Sequence, residues 1–213
     1  MGRFIKGTKN LVRHIISFWK ARYYPNIHST AQVSDSAKVY NPENIIMYEN
    51  ARIGPNSIIM NTRANFIMKK WSAAAFGLTV VTGNHLAVPG LHLIQVTDKV
   101  KDELDVMHKM DKDVIVDEDT WLGSNVTLLS GAHVGRGCVI GSGTIVRGNI
   151  PPYSILIGNP AKIIGFRFTP EEVATHEAAL YSPEERIDPK IIEKNYNKYF
   201  YNRTDEIKRI TKL

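Results

Sequence analysis

His85 is set apart by its position. It falls where a regular six-residue spacing of aliphatic residues stops, ahead of a charged stretch with no such spacing. A histidine there sits at the rim of whatever structure the spacing builds, beside a covering loop. Imidazole changes charge near neutral pH, so it can take a proton from a weakly acidic group and return it. General-base chemistry is one reading of that position; a polar loop histidine is the other. Rival chemistries lack their residues. Cys138 is the one cysteine, which excludes a disulfide within the chain and points to a reducing compartment. It occupies an inward small-residue slot, the place of a buried, inert thiol. No Gly-x-Ser-x-Gly elbow exists, and the glycines belong to repeat corners, not to a dinucleotide-binding turn. His85, His92 and His108 share the aperiodic stretch and His133 lies beyond it. They show no close pairing that would build a three-histidine zinc site, so no metal is expected.

The elements that must position His85 come from the period itself. Val116, Leu122, Leu128, Val134, Ile140 and Val146 recur every sixth residue. Four places after each stands Thr120, Val126, Ala132, Cys138, Thr144 or Ile150. A period of six fits neither a helix nor a flat strand. It fits a parallel β-helix, a β-solenoid in which each repeat makes one short strand and one corner. A looser version runs through Ile27, Val33, Val39 and Ile45. After two added residues it resumes at Ile53 and Ile59, and after two more at Ile67, Ala73 and Thr79. The additions are expected to bulge at corners. Residues 83–115 carry no period and form an excursion, with a short helix expected around Val100–Met107.

Beyond the stack, Thr169-Pro170-Glu171-Glu172 is a capping box with proline at the first helical position. It predicts a helix over 170–180; Ser182-Pro183-Glu184-Glu185 repeats the signal, and Asp188-Pro189 opens a longer helix to about 201. These helices are expected to cap the open end of the solenoid. At the other end, residues 3–22 read as an amphipathic helix with Phe4, Leu11, Val12, Ile15, Ile16 and Trp19 on one stripe. Residues 1–22 hold six bases and no acid; without them 21 bases face 21 acids, so the body is formally neutral. The net charge of +6 therefore marks a basic arm and no nucleic-acid groove. Such an arm suits peripheral contact with an anionic membrane surface, or packs its stripe on the domain or a sister subunit. No apolar run is long enough to span a bilayer, and a cytoplasmic protein is expected.

Four segments carry a resemblance: Thr82-Gly83-Asn84-His85, Asp119-Thr120-Trp121-Leu122-Gly123-Ser124, Gly141-Ser142-Gly143-Thr144-Ile145-Val146, and Ile150-Pro151-Pro152 through Gly158-Asn159-Pro160-Ala161-Lys162. In this order they resemble the hexapeptide-repeat acyltransferases of the left-handed β-helix fold, in the galactoside, maltose and xenobiotic O-acetyltransferase branch. The resemblance covers about residues 27–167. It implies a left-handed triangular prism of about five turns, with the N-terminal helix, the loop excursion and the C-terminal helices as additions. The divisions are then 1–24, 25–167 and 168–213.

The resemblance also implies roles. His85 is the general base for direct attack of an acceptor hydroxyl on the thioester of acetyl-CoA, with no metal required. Leu86 stands where the family usually shows proline. Ser124 matches the serine near the thioester oxygen. Trp121, Gly123, Ser142, Arg147 and Lys162 match positions along the acetyl-CoA groove; Arg167 lies nearby without a clean match. Asn84, Asn61 and Asn65 are the acceptor-binding candidates, with Lys69, Lys70 and Trp71 flanking. Because the groove lies between subunits, a homotrimer with three sites is implied. The acceptor expected is a hydroxyl of a sugar or polysaccharide precursor. The alternatives are a xenobiotic of the streptogramin or chloramphenicol type, N-acetylation of an amino sugar, and a non-catalytic scaffold.

Overall fold

A computed structural model of the chain describes residues 23–107 and 109–211. The expected N-terminal helix and the membrane contact assigned to residues 1–22 lie outside these residues, as does His108. Sixteen short strands wind in threes into a prism of just over five turns. The first face holds Gln32–Val33, Arg52–Ile53, Ala73–Ala74, Trp121–Leu122, Val139–Ile140 and Ser154–Ile157. The second holds Lys38–Val39, Ile58–Met60, Thr79–Val81, Thr127–Leu128 and Ile145–Val146. The third holds Ile45–Met47, Phe66–Met68, Val114–Val116, His133–Val134 and Asn149–Ile150. Every strand pairs in parallel with the one a full turn away, as Trp121 does with Ala73 below and Val139 above. The fold is the left-handed parallel β-helix.

The six-residue period exists because each two-residue strand points one side chain inward and the corner consumes the other four. Leu122, Leu128, Val134, Ile140 and Val146 are fully buried and stack in register down the three faces. Their burial supplies the stabilisation, at roughly 25 cal/mol per Å² of apolar surface. The corner residue Cys138 is buried as expected, and burial pushes its thiol up to about 12.

The earlier turns correct the expected register. Inward residues there are Phe66, Met68, Ala74 and Val80; Ile67, Ala73 and Thr79 point outward. The first two-residue addition is no corner bulge: Ile45–Met47 is a three-residue strand that buries both of its ends. Phe66–Met68 does the same one turn later, after a lengthened corner. Alternation over three residues puts two side chains indoors, and that moves the register by two.

At the far end, Lys162–Phe166 pairs antiparallel with Ser154–Ile157 and closes the first sheet. Three helices follow, α2 (Pro170–Leu180), α3 (Pro189–Tyr199) and α4 (Thr204–Ile210), after α1 (Asp98–Leu104) in the excursion. The capping box of α2 forms reciprocally between Thr169 and Glu172. Ser182 and Glu185 also bond to each other, yet the chain there only turns. The cap is held by Glu177, whose buried carboxylate accepts from Tyr153 Oη at 2.6 Å and Arg136 Nη1 at 2.8 Å.

Between the third and first faces, one residue per turn sits in the left-handed region: Asn50, Trp71, Asp119, Gly137 and Tyr153. Asparagine, aspartate and glycine tolerate it; a bulky side chain is strained there. Tyr153 compensates with a buried ring and its bond to Glu177. Trp71, at φ +64°, is 64% exposed and has no such compensation. Trp71→Asn is therefore expected to stabilise the protein by about 1 kcal/mol. Thermal melting would show this as a rise of about 2–4 °C.

Candidate functional site

The excursion leaves the second face after Thr79–Val81 and rejoins the third face at Val114–Val116. Its two ends are tied into a neck. Gly83 and Asp111 form an antiparallel bridge, and Lys112 N–H donates to Thr82 O at 3.0 Å. Asn84 donates both its backbone N–H and its Nδ2 to Met110 O, each at 3.1 Å. At Gly83 a Cβ would lie 2.8 Å from Asp111 Oδ1, so a side chain there would displace that carboxylate. His85 emerges from this neck and is exposed, on the edge between the second and third faces. The break in the period thus delivers an imidazole to the prism's rim.

A cluster of charges that sequence reading missed lies under the neck. Lys101 on α1 and Asp111 are each only 7% exposed. Lys101 Nζ donates to Asp111 Oδ1 at 2.5 Å and to Asn84 O at 2.8 Å. Arg63 Nε donates to the other oxygen of Asp111 at 2.7 Å, and its guanidinium also pairs with Asp102 and Asp98. Burial alone would raise the Asp111 carboxyl, but the hydrogen bonds from Lys101 and Arg63 outweigh it and hold it below the usual carboxylate range. Its contribution to the neck is therefore complete above the ordinary carboxylate pKa of about 4 and is lost as pH falls through the depressed value.

The asparagine candidates divide. Asn65 lies half-buried on the same edge as His85, in the preceding turn, its N–H bonded to Asp113 at 2.8 Å. Asn84 adjoins His85, but its Nδ2 is committed to Met110. Asn61 departs from expectation. It is fully buried, accepts from Asn41 N–H at 3.0 Å and donates to Asn41 O at 2.7 Å. Its amide fills a corner where an aliphatic would otherwise sit, and it presents nothing to an acceptor.

The groove candidates gather elsewhere. Trp121 points outward from the first face, 50% exposed, above Ala73. Gly123 and Ser124 start the corner between the first and second faces, and Ser142 stands one turn beyond. Ser124 N–H donates to Ser142 Oγ at 3.2 Å. At Gly123 a Cβ would lie 2.7 Å from Ser142 N, so the two turns approach too closely for any side chain. Arg147 and Lys162 are exposed cations, the first leaving the second face, the second on the closing antiparallel strand. Arg167 is engaged: it shares Asp119 Oδ2 with His176, at 2.6 and 3.1 Å.

His85 and Ser124 thus occupy opposite margins of the second face. Six residues of chain separate those margins, roughly 15–20 Å at the rise of a strand. Among the described residues, no three of His, Cys, Asp or Glu are grouped to hold a metal ion. No described helix is long and apolar enough to cross a membrane.

Comparison with known proteins agrees with this architecture. Residues 113–148 match the family described as bacterial transferase hexapeptide (six repeats). A chloramphenicol acetyltransferase of Escherichia coli is 42% identical over 62 residues, 29% of this chain and 30% of that protein. A protein of Escherichia coli K12 assigned to lipopolysaccharide biosynthesis as the O-acetyl transferase WbbJ is 47% identical over 51 residues, 24% of this chain and 25% of that protein. These alignments span less than a third of either relative's length. Galactoside acetyltransferase in complex with coenzyme A superposes with a TM-score of 0.52 at 19% identity, over 75% of this chain and 70% of that one. At that identity the likeness is one of fold.

Proposed function

We propose that this chain, a member of the hexapeptide-repeat transferases with the left-handed β-helix fold, moves an acetyl group from acetyl-CoA to a hydroxyl of a saccharide. The observation that carries the reading is the placement of His85: an exposed imidazole at the rim, carried by a tied loop neck and free of hydrogen bonds to the other described residues. In this reading the imidazole takes the proton as the acceptor oxygen attacks the thioester carbonyl. The carbonyl becomes an oxyanion, stabilised by a hydrogen-bond donor at the Gly123–Ser124 corner. Collapse breaks the C–S bond, and the leaving thiolate recovers the proton from the imidazolium. Lys162 and Arg147 supply charge for the cofactor's phosphates.

Because His85 and Ser124 flank opposite sides of one face, a complete site takes His85 from one chain and the Trp121–Ser124 corner from another. A homotrimer, with one site at each seam, satisfies this. Asn65 shares the His85 edge and is the asparagine placed to meet the acceptor. The WbbJ relative favours a lipopolysaccharide sugar as that acceptor, and the chloramphenicol acetyltransferase relative supports a second reading, a xenobiotic hydroxyl.

The test is release of coenzyme A thiol from acetyl-CoA with a panel of hexosides, oligosaccharides, amino sugars and chloramphenicol. Turnover on sugar hydroxyls at least tenfold above the other acceptors is expected. Preference for chloramphenicol would select the second reading, and preference for the amine of an amino sugar would replace O-transfer by N-transfer.

A further inference from the structure

We propose that Lys101 is a positioning residue for His85, acting through the peptide of Asn84; this rests on His85 being the base. A lone ammonium buried away from water is costly, and one paired with a carboxylate returns little net stability. The Lys101–Asp111 pair is nevertheless nine-tenths buried, and its ammonium spends a further hydrogen bond on the carbonyl of the residue immediately before His85. Among the described residues that carbonyl is the last backbone group of the neck with a partner: Asn84 N–H bonds to Met110, Asn84 O to Lys101, and the chain then continues as His85. Arg63 holds the second oxygen of Asp111 and ties the cluster to the corner that also bears Asn65. Two short connections thus run from one buried carboxylate, to the base on one side and to the acceptor asparagine's corner on the other. An apolar filling of the same space could hold the neck together, but it could not fix the rotation of the Asn84 peptide. That rotation sets the backbone frame from which the His85 side chain leaves.

The design of the test follows from the weak net stability of buried pairs. Lys101→Met alone leaves Asp111 Oδ1 without its buried partner, with Arg63 still on the other oxygen, and loosens the neck. The double variant Lys101→Met/Asp111→Leu removes both charges and is expected to melt within a few degrees of the parent, while still lacking the bond to Asn84 O. Its kcat is expected to fall about 10- to 100-fold, the cost of misplacing a reacting group by about 1 Å. KM for acetyl-CoA is expected to stay within about twofold, since Trp121, Ser124 and Ser142 are untouched. Wild-type kcat in the stable double variant would overturn the proposal and leave the pair a structural tie. His85→Ala measured beside it separates the two claims: if His85→Ala is inactive and the double variant fully active, only the positioning role fails. If His85→Ala itself turns over normally, the base assignment fails and the positioning role falls with it.

Discussion

His85→Ala is expected to lower kcat for acetyl transfer by about 10²- to 10⁴-fold, the usual contribution of a positioned general base. Binding of acetyl-CoA is expected to be unchanged within about twofold, because the groove candidates lie on the other margin of the second face. A sugar hydroxyl holds its proton at neutral pH and attacks a thioester poorly until something accepts that proton. The side chain makes none of the bonds that tie the neck, which are carried by Asn84, Met110, Thr82, Lys112, Lys101 and Asp111. Its removal therefore tests chemistry and not folding. Isothermal titration of acetyl-CoA together with steady-state turnover checks both halves. Turnover at the parent rate would exclude the imidazole from the reaction, and lost cofactor binding would place His85 in the groove instead.

The later half of the prism was legible because its strands from Trp121–Leu122 to Ile145–Val146 are all two residues long. Each buries one side chain, so Val116 to Val146 keeps a strict period that only a solenoid uses. The earlier half misled by a residue for an equally simple reason. Phe66 and Met68 both point inward, and a reading that allows one inward residue per strand settles on Ile67 between them. His85 could be singled out as a candidate because it marks where the period stops. Lys101 and Asp111 could not: in the sequence they belong to a run of alternating charges that reads as solvated. Only the tertiary bridge between Gly83 and Asp111 brings them under the neck. Asn61 was named through the resemblance alone, and its inward direction shows only once the strands are placed. The separation of His85 from Ser124 is a property of winding order. It becomes visible once strands are assigned to faces, and from it follows the expectation that neither edge works alone.

That expectation has a quantitative consequence. If each site joins the His85 edge of one chain to the Ser124 corner of the next, the contact is head-to-tail and closes into a ring. Two inactive variants should then rescue one another. His85→Ala keeps an intact Trp121–Ser124 corner, while Ser124→Trp obstructs that corner and keeps its imidazole. In an equal mixture assembled at random, half of the imidazole edges and half of the corners are intact. About a quarter of the seams then combine two intact halves, so co-expressed chains are expected to recover about a quarter of the parent kcat per site. Each variant alone is expected to stay at least about 10²-fold down, the scale set by loss of the base or of oxyanion stabilisation. A site built within one chain allows no rescue at any mixing ratio, because every chain carries one damaged half. Activity that remains at the background of the single variants, with co-assembly shown by differently tagged chains, would therefore reject the shared site. Recovery near a quarter fits one imidazole meeting one corner per seam, and the mixing curve, peaking at equal amounts, is a second check on the same geometry.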